Sequence, residues 1–324
     1  MARSVSTFTG AVDEDALGVT LIHEHVFVTD PELDVNMPHP EWNEQAMIER
    51  AVQILSSLHE RGVRTVVDLT VIGLGRDVRR VAEVAARAPV QIVAATGCYA
   101  SSVLPPYFRL NGPGLVVDGP DPLVDLFIGD IERGIAGTQV RAGMIKIASE
   151  GSELTPDVER VFAAAATAHL RTGVPITTHS DAAARGGLAQ QDALARLGVP
   201  LEHVVIGHSG DSLDLPYLRA LADRGSYLGF DRFGMEHVGR DEDRIRMLRA
   251  LLDAGCADRI VLSHDAAVFS RVTPPSWRNE HVPNWRMSHL FDTVLPQLRA
   301  DGVDEAALHQ LMVVNPRRVL TGGA

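Results

Sequence analysis

Short apolar, β-branched runs alternate with longer amphipathic segments from one end of the chain to the other. The runs of strand character are 18–28, 64–70, 90–97, 142–149, 174–180, 203–209, 226–233 and 259–265. The segments with helical periodicity are 44–62, 76–88, 155–173 and 187–198. Because strands that alternate with helices are typical of parallel β/α units, the pattern predicts an α/β protein.

Eight β/α units favour a closed (β/α)8 TIM barrel, although the count alone leaves a doubly wound sheet as an alternative. One predicted helix has recognisable signals at both ends, with Thr155 as the N-cap, Pro156 at the first helical position and Gly173 at the C-terminal end. No repeat, low-complexity tract or linker interrupts the alternation. We therefore expect a single domain over 1–324, with a barrel core at about 16–320.

Three longer irregular stretches interrupt the regular pattern, at 29–43, 98–122 and 266–284. Each follows a predicted strand. Because the carboxyl ends of parallel strands lie at one end of a barrel, we expect all three stretches over that end, as lids or substrate walls.

The charge and composition narrow the class of protein. The 324 residues include 42 acidic and 30 basic side chains, and a net charge of −12 argues against a nucleic-acid partner. No run approaches the ~20 apolar residues of a membrane span, and the first residues lack the apolar centre of a secretory signal, so we expect a cytosolic protein. Cys98 and Cys256 cannot form a disulfide framework. Cys98 follows a strand, so a reactive thiol is an alternative to a small buried hydrophobe.

A pair of histidines opens the candidate chemistry. His23 and His25 stand two residues apart in a predicted strand, so both side chains point to the same face. Alone, this pair is weak evidence in a chain with 13 histidines. Further unusual polar residues fall near other strand ends: Lys146, His179, His208, Arg232 and Asp265. Barrel enzymes place catalytic groups at these ends, so the sequence predicts that the residues form one site.

The residue types indicate a metal centre, although a histidine at a strand end is commonly an ordinary hydrogen-bonded residue. Lys146 in the run MIKIA and Asp265 after VLSH would be costly to bury without partners. Neutral imidazole and carboxylate ligands suit zinc, iron, cobalt or manganese. A protonated lysine is a poor ligand, whereas a carbamylated lysine offers two oxygens that can bridge two cations. These residue types therefore predict divalent metal ions as cofactors, with carbamylated Lys146 as a ligand that can bridge two of them.

The motifs also carry a family resemblance. In chain order they are HEHVF, TVVDLTVIGLGRD, IKIA, ITTHS, IGHSGDS, GSYLGFDRFG, VLSHD and NPRR. At these intervals, from about residue 16 to residue 320, they closely resemble the phosphotriesterase-like lactonases of the amidohydrolase superfamily. The resemblance implies a (β/α)8 barrel, a binuclear metal centre, hydrolytic chemistry and a homodimer.

The resemblance assigns the metal ligands position by position. It implies one buried and one more exposed metal, with His23, His25 and Asp265 as ligands of the first and His179 and His208 as ligands of the second. Lys146 would bridge the two ions in its carbamylated form. Asp265 would also accept the proton of the bridging hydroxide.

Tyr99 in GCY and Arg232 in FDRFG match positions of the substrate site in the lactonase branch. We expect Tyr99 to donate to the leaving ring oxygen and Arg232 to position the substrate. The chain departs from its relatives at Ser101, where a second aromatic is usual, and at ASEGSE, which replaces Asp-Glu-Pro-Gly. The loop AAVFSRVTPPSW also differs, and its Trp277 is expected either to cover an acyl tail or to lie at a dimer contact. These departures affect the expected preference for the length of the substrate's acyl chain rather than the expected hydrolytic chemistry.

The expected function is a lactonase acting on acyl-homoserine lactones or other γ- and δ-lactones, with slow activity on organophosphate triesters. One alternative is a dedicated phosphotriesterase or another amidohydrolase, and a second is a barrel that binds metal or ligand without turnover. An inactive homologue would usually lack Asp265 or a histidine, and this chain retains them. Strand alternation further predicts that His264 points to the helix layer, away from any metal.

Overall fold

In the computed structural model, which describes residues 3–322, the chain folds into a barrel of parallel strands surrounded by helices. The strands are β1 Ser4–Thr7, β2 Gly10–Asp13, β3 Val19–Val28, β4 Val63–Asp68, β5 Gln91–Cys98, β6 Ala142–Ala148, β7 Ile176–His179, β8 Val204–Ile206, β9 Tyr227–Phe230, β10 Ile260–Leu262 and β11 Ala267–Ser270. The α-helices are α1 Pro31–Asn36, α2 Glu44–Glu60, α3 Val78–Ala85, α4 Pro106–Leu110, α5 Pro122–Glu132, α6 Pro156–Thr172, α7 Gly186–Arg196, α8 Leu215–Asp223, α9 Asp241–Asp253, α10 Pro275–His281, α11 Leu295–Ala300, α12 Glu305–His309 and α13 Asn315–Thr321.

The main sheet closes on itself. Its order is β10-β9-β8-β7-β6-β5-β4-β3-β11, and β10 and β11 are two pieces of one strand separated by 263–266. Across this seam the amide of Asp265 donates to the carbonyl of His23 (3.0 Å), and the amide of His25 donates to the carbonyl of Ala266 (2.9 Å). The predicted (β/α)8 TIM barrel is therefore confirmed, and the doubly wound alternative is wrong.

Amphipathic helices cover the barrel. In α2 the buried residues are Ile48, Ala51, Leu55 and Leu58, whose spacing of three or four places them on one helical face. In α6 the Thr155 hydroxyl accepts from the amide of Val158 (3.3 Å), and Gly173 ends the helix at φ 75°, as predicted. Within residues 3–322, every helix is too short or too polar to span a lipid bilayer.

Some elements were not predicted. The antiparallel hairpin of β1 and β2 places Val5 in the apolar cluster inside the barrel. The three stretches interpreted as irregular contain the short helices α1, α4 and α10, and the last of them also contains β11. Prolines and scattered apolar residues give these stretches no clear periodicity, so the sequence does not indicate their short elements. Tertiary contacts hold these elements in place.

Glu24 joins β3 to the last strand. It is fully buried, and its Oε1 accepts from the Ser263 hydroxyl (2.8 Å), the His264 amide (3.0 Å) and His264 Nδ1 (2.6 Å). Its Oε2 accepts from the Ala266 amide (3.0 Å). His264 Nε2 in turn accepts from the Leu290 amide (3.0 Å), so the ring of His264 faces the helix layer, in agreement with the prediction.

We expect Glu24→Gln to lower the free energy of unfolding by about 2–4 kcal/mol, because an amide NH₂ replaces one acceptor and leaves buried donors without a partner, at about 1–3 kcal/mol each. Urea denaturation at fixed metal content measures the change. Glu60→Gln, at the exposed end of α2, is the matched control and should change stability by less than about 0.5 kcal/mol. Equal stability of the two variants would contradict the role of Glu24 in closing the barrel.

Candidate active site

A cavity of about 400 Å³ opens at the carboxyl ends of the barrel strands. Every site residue predicted from the sequence lines it: His23, His25, Tyr99, Lys146, His179, His208, Arg232 and Asp265. Apolar side chains form its walls, among them Leu74, Met235 and Trp285. Larger surface cavities of about 590 and 770 Å³ contain none of the predicted residues. Convergent polar groups, rather than volume, therefore identify the candidate site.

Two of the site residues have a left-handed backbone. His208 has φ 61° and Asp265 has φ 53°, a conformation that costs a non-glycine residue about 1–3 kcal/mol. Hydrogen bonds hold both residues in place, since the His208 amide donates to Asp231 (2.9 Å) and the Asp265 amide donates to the His23 carbonyl (3.0 Å). The strain turns both side chains into the cavity just after their strands end.

Asp231 fixes the tautomers of two histidines. Its Oδ2 accepts from His23 Nδ1 (2.7 Å) and its Oδ1 accepts from His208 Nδ1 (2.9 Å). Burial alone would raise the pKa of Asp231, but its contacts with His208 and His23, each of which donates a hydrogen bond to it, hold the pKa well below its usual value. Burial lowers the pKa of both histidines, with further lowering by Lys146 for His23 and by Arg232 for His208. Both rings are therefore neutral, and each Nε2 turns a lone pair into the cavity.

The other two histidines have equivalent partners. His25 Nδ1 donates to the Thr70 hydroxyl (2.9 Å), which itself donates to Asp68 (2.6 Å), so His25 Nε2 carries a lone pair. His179 Nε2 donates to Glu150 Oε1 (3.1 Å), which leaves a lone pair on Nδ1. Each imidazole is thus held by an outer acceptor, the arrangement common around metal-binding histidines.

These lone pairs face one another at short range. His25 Nε2 lies 3.1 Å and His23 Nε2 3.4 Å from Asp265 Oδ1. His208 Nε2 lies 2.9 Å from His179 Nδ1. Facing acceptors repel unless a cation lies between them, and two ligands about 2.1 Å from a tetrahedral ion are about 3.4 Å apart. The donor set therefore fits divalent cations.

Within residues 3–322, two groups of three residues have ligand atoms within 4.8 Å of one another. The first, His23, His25 and Asp265, is part of the predicted ligand set. The second contains His23, His208 and Asp231, but there hydrogen bonds already join the carboxylate to the Nδ1 atoms. We interpret Asp231 as the outer partner of the histidines.

Lys146 is buried without a counter-ion. Its Nζ lies 3.3 Å from the Thr178 carbonyl and 3.4 Å from His23 Nε2, and within residues 3–322 it forms no salt bridge. Burial lowers its pKa to about 8, against the opposing charges of Asp265 and Asp231. A substantial share of the amine is therefore neutral near pH 8, and the neutral amine is the form that reacts with carbon dioxide.

Arginines link Asp265 to the cavity wall. Arg232 Nε donates to Asp265 Oδ2 (3.2 Å), and its Nη1 donates to Asp211 Oδ2 (2.9 Å). The buried Arg244 donates to the same Asp211 (2.6 Å) and to the carbonyl of Gly239 (2.6 Å). This chain of contacts holds the loop 234–239, which supplies Met235, His237 and Val238 to the wall.

The cavity wall differs in part from the prediction. The stretch 98–122 contributes Tyr99, 266–284 contributes several residues including Thr273, and 29–43 contributes none of the lining residues in the described chain. Loop 234–239 was missed because it is short and follows the FDRF motif directly. Trp285 lines the cavity, whereas Trp277 packs one layer further out against His237, with ring centroids 5.6 Å apart. The expectation that Trp277 covers an acyl tail is therefore unsupported.

Sequence reasoning also missed residues beyond the cavity. Asp231 stands beside Arg232 in FDRF, and Glu150 was noted only as part of a departure from relatives. Their roles depend on which histidine nitrogen each carboxylate meets, and spacing along the chain does not reveal this. Burial raises the pKa of Cys98 to about 12, which agrees with the small-hydrophobe alternative rather than with a reactive thiol.

The family model of the Phosphotriesterase family matches residues 3–320. The chain belongs to the phosphotriesterase family. A solved structure from this family, the phosphotriesterase from Mycobacterium tuberculosis, is 45% identical with a TM-score of 0.95 over 98% of each chain. A phosphotriesterase homology protein of Mycobacterium tuberculosis is 46% identical over 97% of each chain. An aryldialkylphosphatase of Saccharolobus solfataricus is 36% identical over 95% of this chain and 96% of its own. These names support hydrolytic chemistry for the family.

We expect Asp231→Asn to weaken metal binding by about 10–100-fold, because an amide cannot accept from both imidazoles and one ring must turn or change tautomer. Metal content after equilibration against graded chelator concentrations measures the loss. Asp130→Asn is the matched control, since Asp130 is also buried but accepts from Arg76 and Thr96 and contacts no histidine through its side chain. Wild-type metal affinity in Asp231→Asn would show that the carboxylate does not orient the ligands.

Proposed function

We propose that this member of the phosphotriesterase family is a binuclear metal-dependent lactonase. It would hydrolyse acyl-homoserine lactones or other γ- and δ-lactones, with slower activity on phosphotriesters. The observation that carries the proposal is the convergence of histidine lone pairs, Asp265 and Lys146 on one cavity with the Tyr99 hydroxyl at its side.

The proposed ligands are His23, His25, Lys146, His179, His208 and Asp265. Bound zinc, iron, cobalt or manganese ions would lower the pKa of a water molecule and polarise the substrate carbonyl. Lys146 would serve as a carbamate, whose two oxygens fit a position between two cations. Carbamylation also removes the cost of burying an unpaired ammonium.

Asp265 is the proposed proton acceptor for the attacking water. Burial alone would raise its pKa, but its contacts with neighbouring basic side chains, of which Arg232 carries a permanent charge, hold the pKa well below the usual value, so the carboxylate is ionised. Its position is fixed as well, because Arg232 Nε holds Oδ2 at 3.2 Å. The side chain of Arg232 is also proposed to position the entering substrate.

Tyr99 is the proposed donor to the leaving ring oxygen. Its hydroxyl lies 3.2 Å from His179 Nδ1, and burial raises the pKa of Tyr99, with further raising by Asp265 and Glu150, so the hydroxyl stays protonated. One lone pair cannot both accept from Tyr99 and ligate a cation. When His179 binds metal, the Tyr99 hydrogen is therefore free for the substrate.

A dedicated phosphotriesterase is the second candidate, supported by the 36% identical relative named aryldialkylphosphatase. The same metal ligands would serve lactone and phosphotriester hydrolysis, so the preference between the two substrates depends on the cavity wall and on Tyr99. The barrel without turnover finds no support, since every proposed ligand faces the cavity. The expected homodimer stays a prediction.

Lys146 is the only lysine in the chain, which makes its carbamylation directly observable. We expect metal-loaded protein equilibrated with ¹³C-bicarbonate to show one carbamate carbon resonance, because the buried amine has a neutral fraction and two cations would stabilise the product. Lys146→Met should lose the resonance and most of the hydrolytic activity. A fully active, metal-loaded enzyme without the resonance would exclude a carbamate bridge.

We expect wild-type enzyme to prefer lactones over paraoxon-like triesters, and Tyr99→Phe to reduce kcat/KM more for lactones than for triesters. In lactone hydrolysis a planar carbonyl carbon becomes tetrahedral, whereas in triester hydrolysis the phosphorus passes through a five-coordinate transition state. One preorganised cavity wall therefore cannot fit both transition states equally well. A hundredfold preference requires about 2.7 kcal/mol of differential transition-state stabilisation. Steady-state kinetics with short- and long-chain lactones and a triester test this.

Tyr107→Phe is the matched control, since Tyr107 is 61% exposed and does not line the cavity. It should leave both activities unchanged. Faster hydrolysis of triesters than of every lactone, or an equal effect of Tyr99→Phe on both classes, would favour the phosphotriesterase alternative.

A further inference from the structure

A separate cavity of about 350 Å³ lies outside the barrel, between α2 and α10. Its floor is apolar and buried, with Leu58, Val268 and Val282, and exposed residues such as Gln53 form its rim. The volume lies within the ~300–1,000 Å³ of small-molecule sites. It shares only Ala267 and Trp285 with the candidate active site, so the two cavities are adjoining but distinct.

The charge of this cavity opposes that of the whole chain. Arg50, Arg278 and Arg286 line it, and among the described residues no Asp or Glu does. The chain as a whole carries 42 acidic and 30 basic side chains. Arg286 lies at the rim and pairs with Asp292 (3.3 Å). The other two arginines form no salt bridge within residues 3–322.

Arg278 is the buried member, with 6% of its surface exposed. It donates to the carbonyls of Ala267 and Val268 on β11, and its Nε has no hydrogen-bond partner in the described part of the chain. Glu41 exerts an opposing charge, but its carboxylate accepts from the Ser276 hydroxyl (2.6 Å) and amide (3.0 Å) at the start of α10. Arg278 is therefore a buried cation without its own counter-ion.

Arg50 adds to this imbalance instead of relieving it. Burial, and then the charge of Arg50, lowers the pKa of Arg278 to about 10. Two like charges that face one cavity without a carboxylate are unfavourable, and an anion that meets both would remove the repulsion and the cost of the buried charge. The apolar floor would be covered at the same time.

We propose that this cavity is a binding site for a small amphipathic monocarboxylate. The carboxylate would meet Arg50 and Arg278, since a guanidinium matches the planar carboxylate in geometry and charge. The apolar tail would cover Leu58, Val268 and Val282 on the floor. A concave, buried floor favours a small ligand over a side chain of another protein. The proposal does not depend on the lactonase assignment.

The experiment compares octanoate with octanamide, which has the same length and no charge, by isothermal titration calorimetry on the metal-loaded full chain. We expect octanoate to bind at least about tenfold more tightly than octanamide, a difference typical of one charge-assisted contact. Arg50→Gln, at an intermediate position on the surface of α2, should weaken octanoate binding about fivefold or more and leave octanamide unaffected. Arg246→Gln, an exposed arginine away from the cavity, is the matched control.

Each contrary result overturns the proposal. No octanoate binding at millimolar concentration excludes the site, and equal affinity for the two probes excludes a role for charge. Octanoate that binds wild type and Arg50→Gln equally binds elsewhere, for example at the metal centre. If octanoate fails to bind and Arg50→Gln changes the oligomeric state in light scattering, the cavity is a subunit contact instead.

Discussion

The shared carboxylate of Asp231 is the contact on which the rest of the site depends. Because it accepts from His23 and His208 at once, it fixes both tautomers, both ring planes and the 5.2 Å separation of the ring centroids. The benefit is mutual, since a buried carboxylate needs donors to remain ionised and the neutral rings need an acceptor for their Nδ1 hydrogens. Both Nε2 lone pairs then face Asp265 or His179 across the cavity. The fit of the site to metal ions follows from this frame.

The backbone delivers these side chains through local departures from ideal strand geometry. Opposite β4, the register moves from Leu21↔Val66 to Glu24↔Asp68, so β3 carries one extra residue. Ile22 thereby joins the interior apolar cluster while His23 also faces inwards, which strict alternation does not allow. The left-handed backbone of His208 and Asp265 likewise turns these side chains into the cavity just after their strands end. A closed barrel tolerates this strain because hydrogen bonds across neighbouring strands hold the distorted residues from both sides.

The sequence predicted the barrel and the cavity-lining polar residues for one reason: both depend on short-range periodicity and on residue type. Strand runs appear as apolar segments, and Lys146 or Asp265 at the end of such a run is costly enough to indicate a site. The outer partners were not predictable in this way. Asp231 and Glu150 are ordinary carboxylates until the fold brings each to a particular imidazole nitrogen. Loop 234–239 was missed for the same reason, because contacts with the buried Arg244 place it at the cavity.

The proposed proton acceptor and the loop that forms part of the cavity wall are physically connected in this fold. Arg244 holds the wall loop through the carbonyl of Gly239 and holds Asp211, which in turn binds Arg232. Arg232 ends this chain of contacts on Asp265, the proposed proton acceptor. A change in the wall loop that moves Arg244 would therefore move the carboxylate as well, and small displacements of such a group cost rate as well as affinity. Leu74 and Val272 also line the cavity but do not belong to this chain of contacts. Substitutions there would alter the fit of a substrate without moving Asp265. Side chains of this cavity wall can consequently change without displacing the groups that hold Asp265.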